Sequence, residues 1–310
     1  MKKLVGLESL EPPSGGSAVT VGTFDGLHVG HRALVARILD AADDGLVSTV
    51  LTWDRHPFVT LRPDRVPPLL SSVARKIELI EEAGVDVCVV LAFDRELSTW
   101  PPERFASEVL AAGLGARRVI VGEGWRFGHR AAGDVDLLRR LGTELNFAVD
   151  AIGLEGARGE VVSSTRVRGA ITSGDMELAA ALLGRRFDID GEVVRGAARG
   201  VALGYPTANL AVDPALACPA RGVYAGRALA EGAWHPAAIN VGVNPTFGGD
   251  EASTPIQIEA YLLDFDGDLY GTQLRVEFWR RLRDELRFGS VDELVEQIGE
   301  DVEATRALTC

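Results

Sequence analysis

Two histidines three residues apart, His28 and His31, have the residue type and spacing to bind a phosphate group. They lie in residues 22–31, a glycine-punctuated segment that follows an apolar run and precedes a helical pattern. Main-chain N–H groups and the positive dipole end at a helix N-terminus attract anions. A spacing of three puts both rings on one side of the first turn. The segment therefore predicts attack on the α-phosphate of a nucleoside triphosphate, with the imidazoles stabilising charge on the transferring phosphorus.

The pattern His-x-Gly-His is weak by itself, because two surface histidines at the start of a helix give the same spacing. Its context favours a nucleotide site, since Gly22, Phe24 and Asp25 stand in front of it after a predicted strand. Gly30 leaves room for a nucleotide to approach the backbone.

A second candidate phosphate site is the run Ser163, Ser164, Thr165 and Arg166 at the start of a predicted helix. Hydroxyls, main-chain N–H groups and a guanidinium at a helix N-terminus can hold a pyrophosphate. A serine N-cap beside a surface arginine is the alternative interpretation.

A glycine-spaced loop in the second half, containing Arg199, Gly200 and Gly204, can hold phosphates through its N–H groups. The hydroxyl of Thr207 and the amide of Asn209 can both offer oxygen to Mg²⁺. A flexible hairpin ending at a proline would contain the same residues.

Glu259 lies in a predicted strand and is a candidate general base. A solvated strand glutamate is the simpler interpretation, because most glutamates are exposed.

Strands and helices alternate in the first half. The predicted strands are 18–21, 46–53, 86–93, 117–121 and 147–152, and the predicted helices are 31–42, 74–83, 101–110 and 134–141. This alternation predicts a parallel sheet with right-handed crossovers and flanking helices. Ligands bind beyond the carboxyl ends of such strands, where His28, His31, His56 and residues 122–128 fall.

The pattern changes near residue 185. Short alternating runs follow at 188–195, 222–229, 235–243, 256–263 and 273–279, with no helices between them. They predict an antiparallel sheet or barrel, followed by a C-terminal helix that begins at the capping box Ser290-x-x-Glu293. The predicted domains are residues 1–184 and 185–310.

Composition limits the function classes. A chain of 310 residues is long enough for two domains, and a net charge of −13 argues against nucleic-acid or anionic-membrane partners. No signal peptide or membrane span is apparent. The three scattered cysteines, Cys88, Cys218 and Cys310, fit a reducing cytoplasm, with Cys88 as a core residue. The sequence leaves the oligomeric state open.

Six segments in order resemble the bacterial bifunctional riboflavin kinase/FAD synthetase (FMN adenylyltransferase) family. Residues 22–31 look like its GxFDGxHxGH, 54–57 its DPHP-like segment, 163–166 its SSTR, 203–209 its LGFPTAN, 240–247 its NxGxxPTF and 268–271 its DLYG. Each motif is weak alone, but together they cover almost the whole chain. The resemblance implies a nucleotidyltransferase-like α/β domain followed by a riboflavin kinase β-barrel.

The resemblance also implies roles for residues, with ATP, riboflavin and FMN as substrates and Mg²⁺ as cofactor. His28 and His31 would act in adenylyl transfer, Glu259 would take the proton from riboflavin, and Thr207 and Asn209 would hold Mg²⁺. The implied nucleotide- and phosphate-binding residues are Gly22, Phe24, Asp25, Gly30, Ser163, Ser164, Thr165, Arg166, Arg199, Gly200 and Gly204. The implied flavin-binding residues are His56, Pro57, Phe58, Trp125 and Phe127.

Some positions depart from the family pattern: Arg55 stands for a proline, Gly124-Trp125 for a polar residue plus phenylalanine, Ala131 for an arginine and Val201 for a basic residue. Two alternatives therefore stand beside the bifunctional enzyme. One is a riboflavin kinase whose first domain has altered nucleotide specificity or low activity. The other is a non-catalytic flavin-binding regulatory module.

Overall fold

The computed structural model describes residues 1–42, 44–153, 162–196, 200, 203–243 and 256–309. Its chain packs as two units, residues 1–164 and 165–310. Each unit is built on one sheet.

The first unit contains a six-stranded parallel sheet in the order β1-β4-β3-β2-β5-β6. The strands are β1 (Lys2–Val5), β2 (Ser17–Val21), β3 (Val47–Trp53), β4 (Val87–Leu91), β5 (Ala116–Gly122) and β6 (Ala148–Ile152). The predicted parallel sheet is confirmed. Strand β1 was not predicted, because four mostly exposed residues at a sheet edge carry no periodic signal.

Two hydrophobic clusters lie on opposite faces of this sheet, because successive side chains of a strand point to opposite sides. Val19 and Val21 of β2 belong to one cluster, and Ala18 belongs to the other. Burial on both faces explains why these strands are nearly continuous apolar runs. Cys88 is fully buried in the second cluster, which confirms it as a core residue.

The order of the strands indicates where a ligand would bind. From β2 the chain moves outward to β3 and β4 on one side, and β5 and β6 continue on the other side. The loops after β2 and β5 therefore diverge. In open α/β sheets such a switch point is where ligands bind, at the carboxyl ends of the strands.

The helices before the barrel are α1 (Val29–Ala42), α2 (Pro57–Leu61), α3 (Val73–Glu82), α4 (Pro102–Arg104), a π-helix (Phe105–Gly113), α5 (Val135–Leu145), α6 (Ser164–Ser173) and α7 (Met176–Leu183). Short 3₁₀ turns occur at Leu7–Ser9, Asp25–Leu27, Pro63–Arg65, Leu97–Thr99 and His129–Ala131. Ser72 and Asp175 accept N-capping hydrogen bonds, as their residue types predict. The predicted helix at 101–110 continues as a π-helix, which sequence periodicity does not distinguish.

The second unit contains a closed antiparallel barrel in the order β10-β11-β8-β7-β12-β9. Its strands are β7 (Phe187–Val194), β8 (Ala208–Ala211), β9 (Gly222–Ala230), β10 (Ala233–Val243), β11 (Ile256–Leu262) and β12 (Gln273–Arg283). The predicted barrel is confirmed, but β8 lies where the sequence pattern predicts a loop. Only its pairing with β7 and β11 identifies these four residues as a strand.

The C-terminal helix α8 (Val291–Thr309) packs against the barrel. Arg283 of β12 forms a two-pronged ion pair with Asp301 of α8, with a shortest N–O distance of 2.7 Å. Asp301 is only 6% exposed, so this pair fixes the helix against one wall of the barrel. Ser290 Oγ accepts a hydrogen bond from the N–H of Glu293, as the capping box predicts.

None of the helices within the described ranges is long and apolar enough to cross a lipid bilayer.

Candidate active sites

The turn between β2 and α1 is held in a strained backbone conformation. Phe24 and Leu27 are fully buried and have positive φ angles of 49° and 40°. Such angles persist where surrounding contacts impose them, and they concentrate at functional sites. Here Asp25 Oδ1 accepts a hydrogen bond of 2.8 Å from the N–H of Leu70. Asp25 is buried, so this bond helps to shape the turn.

The turn delivers His28 and His31 as a stacked pair. Their ring centroids are 3.6 Å apart and their planes differ by 13°. Nδ1 of the buried His28 accepts a 3.3 Å hydrogen bond from the N–H of His31. When the His28 ring is neutral, its proton is therefore on Nε2, the donor nitrogen. The structure thus brings together the two histidines that the sequence singled out.

His31 is half-buried and meets Phe24 edge to face, with the two ring centroids 5.1 Å apart. Nδ1 of His31 is buried, and nothing in the described part of the chain hydrogen-bonds to it. Burial, and then the charges of His28 and Lys76, hold the pKa of His31 well below its ordinary value of 6.5. The ring is therefore neutral at pH 7, and an approaching phosphate favours its protonation.

This lowered pKa makes stability depend on pH. The unfolded chain takes up the His31 proton first as pH falls below about 6.5, so the free energy of unfolding decreases there and is unaffected above it. We expect His31→Gln to remove this loss, which has a limiting slope of about 1.4 kcal/mol per pH unit. Urea denaturation of both proteins at pH 7.5 and 5.5 measures the difference. Identical pH dependence would contradict the buried neutral ring.

The serine run lies beside the same turn. Ser164 Oγ donates a 3.4 Å hydrogen bond to the main-chain oxygen of Asp25. Thr165 and Arg166 follow Ser164 in the first turn of α6. The second predicted phosphate segment thus reaches the first through Ser164.

The predicted flavin-binding residues form two groups. Trp125 and Phe127 follow β5 and stack with centroids 4.7 Å apart. His56 and Phe58 meet edge to face, and His56 Nδ1 caps α2, whose first residue is Pro57. Beside Trp125, a Cβ at Gly124 would meet no atom within 4 Å, so a polar side chain would fit there.

In the barrel, strand register brings the other predicted residues together. Asn209 of β8 lies opposite Glu259 of β11, which lies opposite Asn240 of β10. Thr207 Oγ1 donates a 3.4 Å hydrogen bond to Glu259 Oε2. The hydroxyl of Thr207 and the amide of Asn209 thus lie at β8, beside the carboxylate of Glu259 on β11, and the amide of Asn240 lies on the other side of that carboxylate on β10.

The glycine-spaced loop folds on itself. The N–H groups of Leu203 and Tyr205 both donate to the carbonyl of Gly200, at 3.1 and 2.9 Å. A Cβ at Gly200 would overlap the carbonyl oxygen of Tyr205, and Gly204 has a φ of +83°, so both positions need glycine. The sequence predicts that N–H groups of this loop bind phosphate, but these two N–H groups instead donate to the carbonyl that closes the turn. Arg199, Val201 and residues 244–247 lie outside the described residues.

Two cavities share Thr207. The first, here called the helix-side cavity, has a volume of about 430 Å³ and is lined by Tyr205, Thr207, Asn240, Glu259, Tyr261 and residues of α8. The second, here called the loop-side cavity, has a volume of about 400 Å³ and is lined by Thr207, Ala260, Phe265, Asp268 and Tyr270, among others. Thr207 thus lies where two substrates could meet.

Two family models match the chain, FAD synthetase over residues 11–166 and riboflavin kinase over residues 183–309. A bifunctional riboflavin kinase/FMN adenylyltransferase from Pseudomonas fluorescens is 38% identical, over 99% of this chain and 98% of the relative. The chain belongs to this bifunctional family. The resemblance carried by the six sequence motifs is thereby confirmed.

Other relatives agree. The bifunctional riboflavin kinase/FMN adenylyltransferase of Escherichia coli K12 is 34% identical, over 97% of this chain and 96% of its own. A solved structure described as a macrolide-efflux protein from Streptococcus pneumoniae has 30% identity and a TM-score of 0.87, covering 99% of both chains. That structure supports the fold of the whole chain, whereas the family rests on sequence.

The barrel residues fit a magnesium ion, the metal that the resemblance implies. Mg²⁺ prefers oxygen ligands, and it commonly takes one or two from protein and the rest from water and phosphates. Thr207 and Asn209 offer two neutral oxygens beside the Glu259 carboxylate. Clusters of three or more metal-binding His, Cys, Asp or Glu side chains do not occur within the described ranges, so a site of the zinc type is not found there.

Sequence reasoning missed Lys76 and the contribution of α8. Lys76 is 5% exposed and lies three and four residues before the buried Leu79 and Ile80. That apolar-face spacing, in a chain whose other lysines are Lys2 and Lys3, was the available signal. The lining of the helix-side cavity by α8 had no sequence signal.

Proposed function

We propose that residues 185–310 phosphorylate riboflavin to FMN with ATP and that residues 1–184 adenylylate FMN to FAD, releasing pyrophosphate. The observation that carries this proposal is that each matched stretch holds its own constellation. The first has a stacked histidine pair at the switch point of a parallel sheet. The second has Thr207, which lines both cavities, hydrogen-bonded to Glu259, which lines the helix-side cavity.

For the kinase step, we place riboflavin in the helix-side cavity, because Glu259 lines that cavity and must reach the 5′-hydroxyl. Tyr205 and Tyr261, which meet edge to face at 5.3 Å, supply aromatic surface for a flat ring system. ATP then occupies the loop-side cavity, with its γ-phosphate near Thr207.

Glu259 takes the proton of the 5′-hydroxyl as that oxygen attacks the γ-phosphorus and ADP leaves. Thr207 donates a hydrogen bond to Glu259, which holds the carboxylate in place. Thr207 and Asn209 would hold Mg²⁺, which when bound neutralises phosphate charge.

For the second step, a phosphate oxygen of FMN attacks the α-phosphorus of ATP. That oxygen is already ionised at pH 7, because the second pKa of a phosphate monoester is about 6, so no general base is needed. His28 and His31 instead stabilise the charge that develops on the phosphorus. Ser163, Ser164, Thr165 and Arg166 receive the pyrophosphate, while Gly22, Phe24, Asp25 and Gly30 shape the turn around the nucleotide. In the barrel, we assign Arg199, Gly200 and Gly204 to the phosphates of ATP near Thr207. Gly200 lines the helix-side cavity, which Thr207 also lines, so this loop would meet the end of ATP that faces riboflavin.

We assign the flavin ring of FMN to the aromatic groups after β3 and β5. Trp125 and Phe127 offer a stacked aromatic pair, and His56, Pro57 and Phe58 offer the second side. The free thiols Cys88 and Cys218 and the net charge of −13 support a cytoplasmic enzyme that acts on small molecules and binds neither nucleic acid nor membranes.

One assay tests the function. The purified chain incubated with riboflavin, ATP and Mg²⁺ should convert riboflavin to FMN and then to FAD, resolved by chromatography. FMN supplied with ATP should give FAD directly, and omission of Mg²⁺ should stop FMN formation. Flavin binding without ATP consumption would instead identify a regulatory module.

The open space at Gly124 supports one competing function, in which the first domain uses a nucleoside triphosphate other than ATP. Incubation of FMN with ATP, GTP, CTP or UTP separately distinguishes the two. Efficient FAD formation from ATP alone would exclude the alternative. A different dinucleotide product, or none, would support it.

A further inference from the structure

Lys76 of α3 is a buried lysine that bonds to main-chain carbonyls. Its Nζ donates to the carbonyl oxygen of Thr23 at 3.2 Å and to that of Trp53 at 2.8 Å. Thr23 lies just after β2, and Trp53 is the last residue of β3. The ammonium group thus joins the carboxyl ends of two neighbouring parallel strands.

Burial of an ammonium group is unfavourable unless its hydrogen bonds are satisfied. Desolvation lowers the pKa of Lys76 to about 8, although nearby Asp25, Cys88 and Asp54 favour its charged form. Its bonded acceptors, however, are peptide carbonyls. A charged lysine directed at peptide carbonyls fixes backbone positions.

The backbone that Lys76 holds is the start of the strained turn. The Thr23 carbonyl also accepts a 3.1 Å hydrogen bond from Thr52 Oγ1. The next residue, Phe24, has the first positive φ of the turn that leads to His28. Displacement of Thr23 would therefore shift the histidine pair.

We propose that Lys76 is a positioning residue for adenylyl transfer, an assignment that rests on the proposed function of residues 1–184. By holding the carbonyls of Thr23 and Trp53, it sets the place of the turn that carries His28 and His31. Its charge also reaches His31. Lys76 therefore adds positive potential to the phosphate site without a contact to the substrate.

Lys76→Met keeps the length of the side chain and removes its charge and its donors. We expect kcat/KM for FAD formation from FMN to fall about 100-fold, the effect of a displacement of about 1 Å at a reacting centre. Riboflavin phosphorylation by the same protein should stay within about twofold. Lys3→Met, the same change at an exposed lysine of β1, is the matched control.

A pH profile separates this role from simple structural support. In the wild type, kcat/KM for FAD formation should fall above about pH 8 as Lys76 loses its proton. Asp25, Asp54, Cys88 and His31 face Lys76. Cys88 stays protonated there because burial raises its pKa to about 11, and the low pKa of His31 places it on the acid side.

Lys76→Arg keeps the charge to higher pH, so the alkaline limb should move upward. The alkaline limb should disappear in Lys76→Met. The pH profile of riboflavin phosphorylation should lack this limb in the wild type and in both variants. NMR titration of the histidine rings gives a readout independent of activity, since loss of the Lys76 charge should raise the pKa of His31.

Retention of FAD formation within about threefold in Lys76→Met would overturn the proposal. So would an equal loss of both activities, or an alkaline limb unchanged in Lys76→Arg. If Lys76→Met does not fold, the pH profiles of FAD formation by the wild type and by Lys76→Arg test the proposal instead. A wild type that makes no FAD would refute the proposed function, and the histidine titration would still test the positioning role.

Discussion

We expect Glu259→Gln to lower kcat for riboflavin phosphorylation by about 10²–10⁴-fold, and FAD formation from supplied FMN to stay within about twofold of wild type. The amide keeps the size of the side chain and can still accept from Thr207, so the cavity is preserved. It cannot take the proton of the riboflavin hydroxyl at neutral pH. Separate rate measurements with riboflavin and with FMN check both parts.

Glu192→Gln is the matched control. Glu192 is an exposed carboxylate on strand β7 of the same barrel, and it is absent from the lining of both cavities. Its kinase rate should equal that of the wild type. Near-normal phosphorylation in Glu259→Gln would show that the hydroxyl loses its proton elsewhere.

We expect His28→Asn to lower kcat/KM for FAD formation by about 10²–10³-fold and to leave the kinase intact, because one hydrogen-bond donor to the charge that develops in the transition state is lost. Asparagine can still accept from the N–H of His31, the hydrogen bond that His28 Nδ1 accepts now. His28→Ala removes both the imidazole and this cap, so its loss should be at least as large. Product analysis with FMN and ATP measures both variants.

His129→Ala controls for loss of a histidine in the same unit, because His129 is exposed and its ring contacts the carbonyl of Ser98. Wild-type FAD formation in His28→Asn would mean that His28 serves only as a cap.

A mixture of Glu259→Gln and His28→Asn chains should convert riboflavin to FAD, since FMN made by one chain can be adenylylated by the other. Failure of the mixture would contradict two independent sites.

Much of the fold followed from local pattern. The alternation of buried strands with amphipathic helices predicts a parallel sheet, because both faces of each strand must be covered. Capping residues such as Ser72 and Asp175 predict helix starts because the bond to the N–H two or three residues ahead lies within one turn. The sequence pattern does not predict strands β1 and β8, because each has only four residues and is defined by its pairing with neighbouring strands.

The sequence by itself determined the family, the two types of sheet and the histidine pair. His28 and His31 are three residues apart at a helix start, so local geometry alone brings their rings together. Only the tertiary structure decided which distant groups meet. Thr207 and Glu259 are 52 residues apart, and the pairing of β8 with β11 joins them. Strand register and the carbonyls that Lys76 reaches depend on packing of the whole unit, which no local pattern encodes.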